Sequence, residues 1–160
     1  MVLREATWDD VDALVDVQER GAVQGLAHIF PQETHPFPRA AVAARWREEI
    51  ADPAVRCYVS EREDGVLNGF AAIREDELLH FGTAPETWGT GLAAHLLADL
   101  LGRFPRRDVD RPLRLRLRVF AQNTRARRFY EKAGWTRTNR CSQSSFPPYP
   151  VLIEYERMQP

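Results

Sequence analysis

Cysteine is scarce: Cys57 and Cys141 are the only two in 160 residues. They allow at most one disulfide, and with no CxxC pair or zinc-type spacing they suggest neither a redox centre nor a metal site. Cys57 alternates with Val55 and Val59 in AVRCYVSE, which reads as a buried strand thiol. Long apolar runs are missing too. None approaches the roughly 20 residues that a transmembrane helix needs, so no membrane partner is expected. The opening MVLREATWDDVDAL carries acids where a secretory leader has a cationic head and an apolar stretch, so the expected location is the cytoplasm. An excess of one charge is also lacking. The formal net charge of -1 disfavours a general nucleic-acid binder, although arginines crowd into RFPRRDVDRPLRLRLRVF and NTRARRFYEK.

What remains is an ordinary globular composition, 44% hydrophobic and 28% charged, in a chain long enough for one core and too short for two. A single domain over 1–160 is expected. VLREA reads as a short strand. TWDDVDALVDVQERGAV follows as a helix, with Thr7 and Asp10 resembling a capping box and Val11, Leu14, Val15 and Gln18 facing inward. HIFPQETHPFP breaks regularity, and RAAVAARWREEIAD resumes a helix before Pro53. AVRCYVSE and VLNGFAAIRE form a hairpin around REDG, and ELLHFGT is the next strand. From there the pattern alternates: a helix from about Leu92 to Phe104, a strand from Leu113 to Phe120, a helix from about Thr124 to Ala133. PVLIEYERM is the final strand, with room for one more before it. Such alternation implies a parallel strand pair joined by a right-handed crossover. The fold class is therefore α/β, a mixed sheet with helices.

ETWGTGLAAHLLADLL, residues 86–101, places Gly89 and Gly91 between an apolar strand and a helix. A helix that begins after such a turn has unpaired N–H groups and a dipole that favours negative charge. A Walker loop is excluded, because it must end in Gly-Lys-Ser/Thr. Gly89 to Ala94 do satisfy G-x-G-x-x-A. The next strand, however, ends in RVFAQN with no acid to hold a ribose, and Asp108 and Asp110 precede it at the wrong end. Both helix N-termini must lie at the same edge of the parallel strands, which brings Asn123 near the glycine turn. Asn123 and Tyr130 share a helix face, about 10 Å apart along the axis.

WGTGLA resembles the Q/R-x-x-G-x-G/A acyl-CoA signature of the GNAT superfamily of N-acetyltransferases, and NTRARRFYEKAGW resembles its N-x-x-A-x-x-FY-x-x-x-GF element. The order of elements is similar along essentially the whole chain. The resemblance implies a central mixed, mostly antiparallel sheet with a parallel, splayed strand pair and flanking helices. It implies acetyl-CoA as cosubstrate, no metal, and transfer to a primary amine of a small molecule or peptide in a ternary complex. Cofactor contacts are expected from Phe81, Thr83, Trp88, Gly89, Thr90, Gly91, Leu92, Ala93, Asn123 and Arg127, with the pyrophosphate on the N–H groups of Gly89 to Ala93. Trp88 stands where the family usually has Gln or Arg. Asn123 either touches the cofactor or caps its helix.

Tyr130 matches the family's general acid, and a main-chain N–H near Phe81 to Thr83 would face the developing oxyanion. The family's usual base position selects Glu77. Strand alternation puts Glu77, Leu79, Phe81 and Thr83 on one face and His80 on the other, so His80 reaches the site only if a bulge rotates it; Gly82 is a candidate bulge. Arg125, Arg127 and Arg128 begin the helix nearest the phosphates. His28 to Pro38 and CSQSSFPPYP would wall the acceptor side, where Glu33, Glu75, Asp76 and Glu77 suggest a cationic amine. A non-catalytic acyl-CoA-binding module is the alternative reading, and the resemblance makes homodimerisation through the last strands plausible.

Overall fold

A computed structural model describes residues 2–105 and 112–159; Asp108 and Asp110 fall outside that set. Seven strands and four helices follow in chain order: β1 (Arg4–Glu5), α1 (Val11–Gly25), α2 (Arg39–Ala51), β2 (Val55–Glu61), β3 (Leu67–Arg74), β4 (Glu77–Thr83), α3 (Leu92–Leu101), β5 (Leu113–Phe120), α4 (Thr124–Lys132), β6 (Thr136–Gln143) and β7 (Val151–Gln159). The sheet order is β1-β2-β3-β4-β5-β7-β6. Every neighbouring pair is antiparallel except β4 and β5. The additional strand for which the sequence left room is β6, an exposed edge strand that takes in Cys141 to Gln143.

Local chemistry accounts for the helix ends. The Asp10 carboxylate accepts the Thr7 N–H at 2.8 Å, as a capping box requires, and also receives both terminal nitrogens of Arg4 at 2.9 Å. That guanidinium holds the Asp10 carboxyl below its usual range. Gln18 does face inward, where its side-chain oxygen accepts the indole N–H of Trp46 at 2.7 Å. Helix α3 stops at Leu101 rather than Phe104, where the Gly102 and Arg103 N–H groups turn to the Asp99 and Leu100 carbonyls three residues back; Phe104 is still buried.

Two cores flank the sheet. Under α1 and α2 lie Val11, Leu14, Val15, Trp46, Val59 and Phe70. Under α3 and α4 lie Leu96, Leu100, Leu115, Leu117, Trp135 and Tyr155. Strand β5 contributes Leu113, Leu115, Leu117 and Val119 to the second core and turns Arg114, Arg116 and Arg118 the other way. These arginines meet carboxylates on adjacent strands and in the β3–β4 turn: Arg114 pairs with Glu154 (3.0 Å) and Glu156, Arg116 with Asp76 and Glu77 (both 3.3 Å), and Arg118 with Glu77 (3.6 Å). The arginine crowding on this strand is thus a cross-strand charge ladder.

Two irregularities shape the middle of the sheet. Strands β4 and β5 pair only at Glu77↔Arg116 and Leu78↔Leu117 and then diverge. Opposite β3, Ala72 pairs with His80 and Ile73 with Leu78, so Leu79 is an extra residue, a bulge that reverses the alternation of β4. The simple parity expected for Glu77 to Thr83 is therefore corrected. Leu78 and Phe81 share the α3/α4 side, while His80 lies over Trp46 on the α2 side. Nor is the bulge at Gly82, which pairs regularly with Phe70. A Cβ at Gly82 would come within 2.4 Å of the Phe70 ring, so this glycine is there to admit that ring.

Candidate active site

Beyond β4 the chain makes a 3-10 turn at Pro85–Thr87 and passes through Trp88 to Gly91 before α3 begins. Gly89 and Gly91 hold φ of +82° and +89°, in the left-handed region. A Cβ at either would meet nothing within 4 Å, so glycine is required here by backbone conformation and the space beside the turn is open. The Thr90 hydroxyl accepts the Leu92 N–H at 3.4 Å. Among the described residues, the N–H groups of Gly89, Gly91, Ala93 and Ala94 have no acceptor. The result is a row of free donors at a helix N-terminus.

Where β4 and β5 splay apart, a cleft of about 690 Å³ opens, continued by α1, α2 and the loops on either side. Glu77, Phe81, Thr83, Trp88, Asn123 and Tyr130 line it, while Gly89 to Ala93 follow directly on Trp88 outside the lining. Both expected walls are present, from Phe30 through Pro38 and from Gln143 to Pro147. The first is anchored by Phe30 edge-on to Phe120 at 5.3 Å and by His28 bonding the Gln122 carbonyl at 2.8 Å.

Trp88 takes a structural place of its own. Its indole N–H donates to the Thr83 carbonyl at 3.1 Å, and its ring packs against Gly25, where a Cβ would stand 3.3 Å away. The Arg125 guanidinium lies 3.4 Å from the ring centroid, a cation–π contact that holds it at the cleft wall. Arg127, expected to reach the cofactor, is directed elsewhere. It donates to the Tyr155 hydroxyl at 3.1 Å and the Ala121 carbonyl at 3.0 Å and is absent from the lining, so Arg125 is the cleft-facing cation of α4. Asn123 caps α4, accepting the Ala126 N–H at 3.2 Å, and also lines the cleft. Phe81 stacks on Phe129 with centroids 5.9 Å apart.

Tyr130 is buried between Phe129 and Trp135 but borders the cleft. Burial pushes its phenol well above the ordinary value, and no described residue bonds its hydroxyl. Across the cleft, the His80 Nε2–H donates to both oxygens of Glu49, at 3.0 and 2.9 Å, while Trp46 packs on the ring at 4.9 Å. Nδ1 is left without a partner among the described residues. An imidazole held by a carboxylate in this way can accept a proton at its other nitrogen. Glu77 differs: Arg116 holds one of its oxygens and Arg118 the other, so accepting a proton there disrupts an ion pair. Of the four acids expected to favour a cationic amine only Glu77 lines the cleft, and it is paired with Arg116 and Arg118; Glu33 and Glu75 do not line it, and Asp76 is bound by Arg116.

The model of the acetyltransferase (GNAT) family matches residues 22–135, well over half of the chain. The chain belongs to the GNAT family. Uncharacterized N-acetyltransferases of Mycobacterium tuberculosis and Mycobacterium bovis are similar at 36% identity over 136 residues, covering 79% of this chain and 85% of theirs. Solved GNAT structures share the fold. YjaB of Escherichia coli in its apo form superposes with a TM-score of 0.74 at 18% identity, over 99% of this chain and 97% of that one. PaiA N-acetyltransferase of Thermoplasma acidophilum, solved with coenzyme A, gives 0.70 at 18% identity over 95% and 96% of the two chains. Spermidine N-acetyltransferase of Vibrio cholerae with CoA and spermine gives 0.68 at 18% identity over 98% and 94%.

Arg45 and Glu49 escaped the sequence reading. Their i,i+4 spacing in RWREE marks one helix face, but nothing local says that this face meets His80. Among the described residues no group of three or more His, Cys, Asp or Glu is placed to hold a metal ion, and no helix is long and apolar enough to cross a membrane.

Proposed function

We propose that the protein transfers the acetyl group of acetyl-CoA directly to a primary amine bound in the same cleft, without a covalent enzyme intermediate. The observation that carries this reading is the hydroxyl of Tyr130, without a partner among the described residues, which borders the splayed strands in one cleft with His80, itself held by Glu49. Membership of the GNAT family and relatives named N-acetyltransferases support acetyl transfer to nitrogen. The residues present suit the cosubstrate. Free N–H donors from Gly89 to Ala94 and the nearby Arg125 match a pyrophosphate, and the unpaired edges of β4 and β5 match the amides of pantetheine.

When bound, acetyl-CoA supplies an activated thioester. The chain's own part is to orient it, to offer a main-chain N–H from the Phe81–Thr83 edge to an acyl oxygen, and to manage two protons. His80, oriented by Glu49, takes the proton of the attacking amine at Nδ1. Tyr130, protonated across the physiological range because burial opposes its ionisation, gives one to the departing sulfur. Glu77, expected as base, becomes in this reading a brace that ties β4 to the arginines of β5.

An amine panel with acetyl-CoA, followed by release of free thiol, tests the proposal. Turnover of at least one primary amine is expected. Tight CoA binding with no turnover across the panel would instead favour a non-catalytic acyl-CoA-binding module, and failure to bind acetyl-CoA at all sinks both readings.

A further inference from the structure

We infer that the acceptor carries an oxyanion, a carboxylate or its phosphonate or phosphinate counterpart, a few bonds from the reacting amine, and that Arg45 binds it. This rests on the proposed acetyl transfer and names the class of amine. Arg45 lies on α2, lines the cleft, and has the Phe146 ring 5.7 Å from its guanidinium carbon. Its Nε is buried and makes no hydrogen bond. The nearest carboxylate, Glu49, stands 3.7 Å away, beyond hydrogen-bonding distance, and is already engaged by His80 at 2.9 Å. Neither terminal nitrogen of Arg45 bonds a described residue. Desolvation weighs on the cation, lowering its pKa, and the ion pair with Glu49 at 3.7 Å, a carboxylate shared with His80, offsets this only in part. The buried Nε is left unsatisfied, at a cost, while the terminal nitrogens, bonded to no described residue, stay accessible on a side chain 35% exposed and are available to a ligand in the cleft.

The rest of the lining points the same way. Its one acid among the described residues, Glu77, is paired with Arg116 at 3.3 Å and Arg118 at 3.6 Å, so no described carboxylate of the lining is left unpaired to attract a polyamine. Arg45 and His80 contact the same Glu49 oxygen, at 3.7 and 3.0 Å, so guanidinium and imidazole are close neighbours. An amine presented to His80 therefore has its substituent near Arg45 only if the two groups are a few bonds apart, as in an amino acid. A guanidinium offers paired donors to a carboxylate or a phosphorus oxyacid alike.

The test compares wild type, Arg45→Gln and Arg45→Lys on three acceptor sets: free α-amino acids with aminomethylphosphonate, the corresponding amino-acid amides, and spermidine. Acids are expected to exceed their amides in kcat/KM. Arg45→Gln is expected to cost the acids about 10- to 100-fold, mainly through KM, and the amides at least tenfold less; Arg45→Lys recovers part of the loss. Preference for spermidine or the amides, or an equal loss on acids and amides, overturns the inference while leaving acetyl transfer intact. If acetyl-CoA binds but no amine turns over, acetyl transfer fails and binding alone decides the acid site. Glycine and aminomethylphosphonate raising the melting temperature of the wild-type CoA complex, but not that of Arg45→Gln, supports it. No shift in either protein overturns it.

Discussion

At the Gly89 end of the cleft the chain presents backbone N–H groups on a turn with two glycines, whereas at the α2 end it presents Arg45, His80 and Phe146 from three separated segments, with Glu49 behind His80. The first kind of site depends on left-handed φ at two glycines and is indifferent to most neighbouring side chains. The second depends on which residue occupies each position, and one substitution changes its charge. A fold that keeps the first and varies the second can retain one cosubstrate while changing its acceptor. Tyr130 lies between the two, and the substitutions below separate them.

The largest effect is expected where the two ends meet. Tyr130→Phe should lower kcat by about 10²-fold or more with the acetyl-CoA dissociation constant unchanged, measured by single-turnover kinetics and calorimetry. A loss confined to KM would remove the acid role. The same variant carries a pH signature. The folded-state pKa of Tyr130 is raised above the unfolded value near 10.0, so its share of stability is complete below that pH and is lost as pH rises further. Denaturant titrations from neutrality to pH 11 should show a decline in the wild type that Tyr130→Phe reduces.

At the acceptor end, His80→Ala should approach the same loss in kcat, Glu49→Gln about tenfold, and Glu77→Gln less than either. Glu49→Gln leaves a side chain of the same shape that cannot orient the imidazole as a carboxylate does. If Glu77→Gln proves the most damaging of the three, the base belongs to the arginine ladder and not to α2.

At the cradle end, Gly91→Ala forces a side chain into φ of +89°, at a cost of about 1–2 kcal/mol. The turn then either strains or rearranges. Calorimetry should show acetyl-CoA binding weakened by about tenfold, with the acceptor KM little changed. An unchanged affinity would mean that the phosphates do not use this turn.

The legibility of the two ends differs for the same physical reason. The element order and the glycine turn rest on local periodicity and backbone conformation, which a short stretch of sequence carries by itself, whereas the splay of the parallel pair is expected only from the family resemblance. The pairing of His80 with Glu49 depends on the bulge at Leu79, a single inserted residue that becomes visible only when β4 is laid against β3. It depends also on which face of α2 packs over the sheet, and Arg45, Trp46 and Glu49 give no local sign of it. The family's usual base position selects Glu77, and it is the alternation of an unbroken strand that sets His80 aside. One extra residue altered which side chains share its face. On α4, Arg125 and Arg127 were indistinguishable by type, because what separates them is the position of Trp88 and Tyr155, from elsewhere in the chain.

That last distinction gives the smallest effect. Arg125→Ala removes a cation that, among the described residues, is held at the cleft wall by the Trp88 ring alone, and should weaken acetyl-CoA binding by about three- to tenfold, with a shallower dependence on salt than the wild type shows. Arg127→Ala removes hydrogen bonds from α4 to Tyr155 and to the Ala121 carbonyl, and so should cost about 1–2 kcal/mol of stability in urea with the cofactor affinity preserved. Calorimetry at two ionic strengths, beside urea titrations of both variants, sets the pair against each other. If Arg127→Ala alone weakens binding and flattens the salt dependence, its bonds to Tyr155 and Ala121 are exchanged for phosphate on binding, and the cradle extends further along α4 than Trp88 and Arg125 mark out.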